Sequence, residues 1–164
     1  MRYIVSLGLM LVLLFAQGCK KAEFGHPVIL VTGTEVDPVV KFTVENTPAT
    51  YAVTATATHK ATEDISITFA FDPEAVAAYN EEHKTSYFVV PEEAIEITDM
   101  NAVIKAGATA STPVSVKVIS TAPLVDGRTY LIPLTIKSVN KGDMSVLESS
   151  RTIFLRIARI INFA

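Results

Sequence analysis

The sequence predicts a mainly β protein: an immunoglobulin-like antiparallel β-sandwich of about 7–8 strands with one short inserted helix over about residues 73–83. Three observations predict it. Apolar and polar residues alternate at period two along most of the chain, as in Val40-Lys41-Phe42-Thr43-Val44 and Val114-Ser115-Val116-Lys117-Val118. Turn-forming clusters such as Asn46-Thr47-Pro48 and Asp126-Gly127 separate these runs. A single segment, opening at Asp72-Pro73-Glu74, switches to helical spacing. With one Cys and no Trp, the chain lacks the Cys…Trp…Cys signature of antibody domains, but the broader sandwich architecture remains open to it.

The chain begins with a leader. Met1-Arg2-Tyr3 carries one positive charge, Ile4 to Ala16 is an almost unbroken apolar run, and Gln17-Gly18 closes it ahead of Cys19. That is the layout of a secretory signal, and it is shorter than the ~20 residues a membrane-spanning helix needs. Ala16-Gln17-Gly18-Cys19 resembles the bacterial lipobox, in which the cysteine sulfur takes a diacylglycerol and becomes the new N-terminus; the alternative is an ordinary signal with an incidental cysteine. Acyl chains anchor at roughly 0.8 kcal/mol per buried methylene. The expected organisation is therefore a signal peptide over 1–18, a lipidated tether over 19–35 attached through Cys19, and a sandwich domain over 36–164. Within the tether, Val28-Ile29-Leu30-Val31 could dock as a first strand.

Composition narrows the function. Loss of Arg2 with the leader takes the net charge from −3 to −4, which argues against nucleic acid, whose binding needs a basic face. Acylation of Cys19 leaves no thiol for a disulfide, a thiolate metal site or a nucleophile.

The strands follow in order. Val40, Phe42 and Val44 form one face; Tyr51, Val53, Ala55 and Ala57 read as the next strand, with a solvated threonine face; Ile65, Ile67, Phe69 and Phe71 read as a third. Asp72 can cap free backbone N–H groups, Pro73 is pre-set for a first helical turn and Glu74 suits the helix dipole. Val76, Tyr79, Asn80 and His83 then share one helical face. Tyr87 to Val90 ends at Pro91, Ile95 and Ile97 flank Glu96, and Val103-Ile104 leads into the Lys105-Ala106-Gly107 turn. Val114, Val116 and Val118 alternate, and after a loop Tyr130, Ile132, Leu134 and Ile136 point inward. Pro133, on the opposite face, has no N–H to give a ladder, which predicts an edge strand or a bulge there. Asn140-Lys141-Gly142-Asp143 reads as a hairpin turn before a last strand carrying Ile153, Leu155 and Ile157.

This order of features resembles a known family. A strand ending in Asp72, a helix ending in Tyr79-Asn80, then Thr85, Tyr87 and Pro91, then Ile104-Lys105-Ala106-Gly107, and Tyr130-Leu131-Ile132-Pro133-Leu134 before a final strand are similar to the domain of unknown function 1735. The resemblance covers about Val39 to Ile160. It implies an N-terminal module of outer-membrane lipoproteins in glycan-degrading anaerobic Gram-negative bacteria, carried ahead of a lectin-like sandwich or a family 18 glycoside hydrolase. Because the sequence ends at Asn162-Phe163-Ala164 without room for that second domain, the resemblance implies a fold, a location and an association with glycan uptake, and no catalytic activity.

The residues offer little chemistry. His26, His59 and His83 lack metal-ligand spacing; helix-end packing is the expected role of His83. Glu81-Glu82 and Glu92-Glu93 are adjacent pairs, whereas a glycosidase needs two carboxylates roughly 5–10 Å apart across a cleft. Asp99 and Asn101 fall short of a calcium shell, and Ser149-Ser150 has no triad context. Asn80, on the apolar helix face, needs partners and is expected to staple the helix to backbone near Tyr87. Of the rings that a sugar could stack on, Tyr87, Phe88, Phe154 and Phe163 are the ones open to exposure.

The expected function is a binding or accessory module of a glycan-acquisition system, not an enzyme, with no cofactor. Its partners would be the outer membrane through the lipid, a glycan or glycoprotein, and a partner lipoprotein or transporter. Its place would be the outer membrane, on the cell surface or the periplasmic face. The candidate ligand surface is Tyr87, Phe88, Glu92 and Glu93; Asp72, Tyr79, Asn80, Pro91 and Pro133 are expected to be structural. The alternatives are a spacer that contacts protein through a strand edge near Pro133, and a small glycosidase-like hydrolase.

Overall fold

The computed structural model describes residues 26–140 and 144–159. The leader, Cys19 and the rest of the tether up to residue 25, Lys141-Gly142-Asp143 and Phe163 lie outside the described residues.

In chain order the elements are β1 (Val28–Val31), β2 (Val39–Val44), β3 (Ala49–Val53), β4 (Ala55–Ala57), β5 (Ile65–Phe71), α1 (Pro73–His83), β6 (Phe88–Val89), β7 (Ile95–Ile97), β8 (Asn101–Ile104), β9 (Val114–Val118), β10 (Tyr130–Val139), β11 (Ser145–Val146) and β12 (Thr152–Arg159), with 3₁₀ turns at Glu92–Ala94 and Glu148–Ser150. One sheet has six strands, in the order β2-β12-β10-β5-β8 with β6 also paired to β10. Two three-stranded sheets, β11-β1-β4 and β3-β9-β7, complete the sandwich. All three contribute to a single core: Phe42, Ile67, Phe69, Ile104, Ile132, Leu134 and Leu155 from the large sheet meet Ile29 and Val31 from one small sheet and Val53 and Val116 from the other. The period-two pattern thus marks the core-facing side of nearly every strand, as a one-side-buried sheet requires.

Twelve strands are present among the described residues, more than the 7–8 expected, because pieces of two to four residues such as β4, β6, β7 and β11 are too short to leave a pattern. The pairing is also mixed. Although most ladders are antiparallel, β1–β11, β6–β10 and β2–β12 run parallel.

The stretch from Tyr51 to Ala57 is two strands rather than one. Val53, Ala55 and Ala57 are all buried, so the alternation passes through Thr54 unbroken, yet β3 pairs with β9 and β4 pairs with β1. At the crossover the Thr54 carbonyl accepts from the Thr32 N–H at 2.9 Å. Of the expected tether, Val28 to Val31 docks as a strand with Ile29 and Val31 fully buried, so the packed domain begins there.

Pro133 is not on an edge. β10 lies in the middle of the large sheet, and its register shift falls at Ile136/Ser138, away from the proline. Opposite Pro133, Phe154 gives its N–H to the Pro38 carbonyl on the far side, so the Pro133 backbone faces away from β12. On that side β6 stops pairing at Leu131 and β5 starts at Leu134. The missing donor therefore falls where one neighbouring strand hands over to another, and the Pro133 carbonyl still accepts the Asp72 N–H.

The helix spans Pro73 to His83 and lies on the outer face of the large sheet, where Val76 packs on Leu131 and Phe154 in a second, smaller core. Asp72 does not cap it through its side chain; its backbone carbonyl takes the Ala75 N–H while its carboxylate turns to Thr135. At the other end Lys84 adopts the left-handed conformation (φ 55°), and its N–H and that of Thr85 both reach the Asn80 carbonyl, a common helix stop.

Candidate functional site

Alternation on β10 sends two sets of side chains in opposite directions. Tyr130, Ile132, Leu134 and Ile136 fill the main core. Leu131, Pro133, Thr135 and Lys137 are the alternate set, and their surroundings grade from the helix-covered Leu131 to the exposed Lys137. Beyond the reach of α1, the cross-strand register sets Ala70, Thr135 and Thr152 side by side across β5, β10 and β12. The small Ala70 side chain leaves room above the sheet.

Two adjoining hollows open there. The first, about 450 Å³, is lined by Ala70, Phe71, Asp72, Thr135, Lys137, Arg151 and Thr152. The second, about 290 Å³, shares Arg151 and Thr152 and continues past α1 along Tyr79, Glu82, Ser149 and Phe154. Together they form a groove that sets apolar surface from Ala70, Phe71 and Phe154 beside polar and charged side chains.

Its polar groups are ordered by one another. The Thr135 hydroxyl donates to Asp72 Oδ2 at 3.2 Å and lies 2.8 Å from the Thr152 hydroxyl. A hydroxyl has one proton, so Thr152 donates to Thr135, and the Thr152 oxygen keeps a lone pair for an incoming donor. Arg151 is fixed by two contacts, Nη2 to the Ile136 carbonyl at 2.9 Å and Nη1 to Glu148 at 2.8 Å, while its Nε is buried without a partner among the described residues. Tyr79 stacks on His83 (4.2 Å between centroids) and tilts against Phe154 at 5.0 Å. Burial raises the Tyr79 phenol above its ordinary pKa, and the Asp37 charge adds to this, so the hydroxyl stays a neutral donor and acceptor.

The surface expected from the sequence is divided. Tyr87 and Phe88 line a separate hollow of about 310 Å³ with Thr85, Ser86, Gly127, Arg128 and Thr129. Glu92 and Glu93 do not line it; they are exposed on the 3₁₀ turn beyond Pro91. Tyr87 is half-buried against the small core. Phe88 is 40% exposed, but Arg128 sits 4.6 Å above its ring and Tyr130 packs 5.9 Å away, so a sugar would have to displace the guanidinium to stack. Phe154, expected among the exposable rings, is 5% exposed because the helix covers it.

Asn80 closes the helix onto the following loop. Its Oδ1 accepts from Thr85 Oγ1 at 2.8 Å and from the Tyr87 N–H at 2.9 Å, and its Nδ2 donates to the Tyr87 carbonyl at 2.9 Å. Among the described residues no group of three or more His, Cys, Asp or Glu could hold a metal ion. Asp99 instead accepts from the Asn101 N–H and side-chain amide. No helix among the described residues is long and apolar enough to cross a membrane.

Sequence reasoning missed the groove. Its signal was a pair of threonines at outward positions on otherwise apolar strands, and nothing in the sequence says that Thr135 and Thr152 stand opposite each other.

The fold recurs in solved structures. A provisionally assigned carbohydrate binding protein from Bacteroides ovatus superposes with a TM-score of 0.68 at 14% identity, covering 82% of this chain and 37% of that one. EndoBT-3987 from Bacteroides thetaiotaomicron, solved with a Man5GlcNAc product, gives 0.61 at 17% identity over 74% of this chain and 28% of its own. A multidomain protein including DUF1735 from Bacteroides ovatus gives 0.61 at 16% identity over 82% and 45%. At these identities the likeness is one of fold, and this chain spans less than half the length of each. No curated protein matches the chain in sequence. A family model described as a "-like, N-terminal domain" matches residues 24–143, and the chain belongs to that family of N-terminal domains.

Proposed function

We propose that this protein is a lipid-anchored, extracytoplasmic accessory module that binds carbohydrate, free or on glycoprotein, for a glycan-acquisition system, and that it runs no reaction of its own. The observation that carries this reading is the groove on the outer face of the large sheet. Its hydroxyls, carboxylates and guanidinium lie beside the apolar surface of Ala70, Phe71 and Phe154, the mix that a sugar ring with one hydrophobic face and a rim of hydroxyls demands. Two structural relatives support it: one is assigned to carbohydrate binding, and the other was solved with an oligomannose product. The leader ending at Cys19 supports attachment to the outer membrane.

A glycan array probed with the full chain in detergent tests this reading. Signal for at least one glycan class, lost in Thr152→Val, is the expected outcome; a blank array would contradict it.

A second reading, contact with a partner protein, is favoured by the other end of β10. There Phe88 packs on Tyr130, Arg128 lies over the Phe88 ring and Val125 is half-exposed, and aromatic and arginine side chains together are typical of protein interfaces.

A further inference from the structure

Resting on the carbohydrate reading above, we propose that the wider end of the groove selects acidic sugars, reading a carboxylate through Lys137 and Arg151. The β10–β5 register moves from Ile136↔Phe69 to Ser138↔Thr68, so Lys137 is the extra residue of a β-bulge. A bulge bends the strand locally and re-aims the side chain of the inserted residue, and here that side chain lines the hollow. Lys137 is exposed and forms no ion pair among the described residues.

Of the nearby carboxylates, one is paired with a cation and the other, Asp72, meets only a neutral hydroxyl among the described residues and keeps its charge. Glu148 holds Arg151 at 2.8 Å, and Asp72 accepts the Thr135 hydroxyl. What remains at this end is a free ammonium beside a guanidinium fixed in place, with the Thr152 oxygen and the second Asp72 oxygen open to sugar hydroxyls. The far end is the more negative, since Glu82 lines it while the Glu148 there is paired with Arg151. An acidic residue is thus drawn to the Lys137 end and kept from the other, which gives a bound chain a direction.

The test uses the full chain in detergent and a panel of uronate- and sialate-bearing oligosaccharides, each paired with its carboxyl-reduced neutral form, read by titration calorimetry. At an exposed lysine a charge pair is worth enough for the acidic member to bind about twofold to fivefold tighter than its reduced partner, with Lys137→Gln removing that difference. Because Lys137 is exposed, this variant keeps its melting temperature, so a lost preference cannot be misfolding. Equal binding of acidic and reduced forms, or a preference that survives Lys137→Gln, overturns acid selection and leaves the carbohydrate reading standing. No binding by any pair overturns acid selection, and the carbohydrate reading falls with it only where the glycan array is blank as well.

Discussion

Strand β10 serves two regions of the molecule at once. On its inner face Tyr130, Ile132, Leu134 and Ile136 are buried in a core shared by three sheets. On its outer face the same ten residues present Leu131 under the helix, then Pro133, then Thr135 in a hydroxyl network, then Lys137 at a bulge. The inner face is apolar except at its first residue, Tyr130, whose hydroxyl accepts the Val125 N–H. The outer face is polar where the helix stops covering it. Stability is concentrated on one side of this strand and the proposed recognition surface lies on the other, and substitutions should separate the two.

The largest effect is expected on the inner face. Ile132→Ala removes a fully buried side chain and should cost about 2–5 kcal/mol of stability, measured by chemical denaturation. Next comes the seam between helix and sheet. Asn80→Leu leaves the Tyr87 N–H and carbonyl and the Thr85 hydroxyl without their partner, and should lower stability by about 1–3 kcal/mol and shift the melt downward; an unchanged melt would show that the staple is dispensable. On the outer face, Thr135→Val keeps the side-chain shape and breaks the network, so stability should fall by about 1 kcal/mol or less while glycan binding is lost.

The smallest effect lies at a surface turn. Asp64 accepts from Lys105 Nζ at 2.7 Å and from the Ala106 N–H at 3.0 Å, and these contacts, the lysine first, lower its pKa below the ordinary 3.8. A carboxylate with a lowered folded pKa stabilises above its unfolded pKa and loses that contribution as pH falls through the folded one. Asp64→Asn should therefore melt slightly lower than the parent at neutral pH, and the two should converge in strong acid.

Much of this was legible in the sequence, and the reasons are particular. The helix from Pro73 to His83 was readable because its proline and its periodicity are local signals, and the inner face of β10 was readable because burial enforces alternation. The break at Thr54 was hidden, since a strand that changes sheets without changing faces leaves the pattern intact. Pro133 misled because the rule against proline in a central strand assumes a continuous neighbour on both sides, and here β5 and β6 share one side between them. The groove was out of reach because it depends on which residues of β5, β10 and β12 stand opposite one another. Aromatic exposure pointed to Phe88 instead, where Arg128 occupies the ring face.

Titration of one array-positive glycan into Thr135→Val and Phe88→Ala decides whether recognition lies on the outer face of β10. Binding lost in Thr135→Val and retained in Phe88→Ala is the predicted result. Binding retained in Thr135→Val and lost in Phe88→Ala would contradict it and move the site to the other end of the strand.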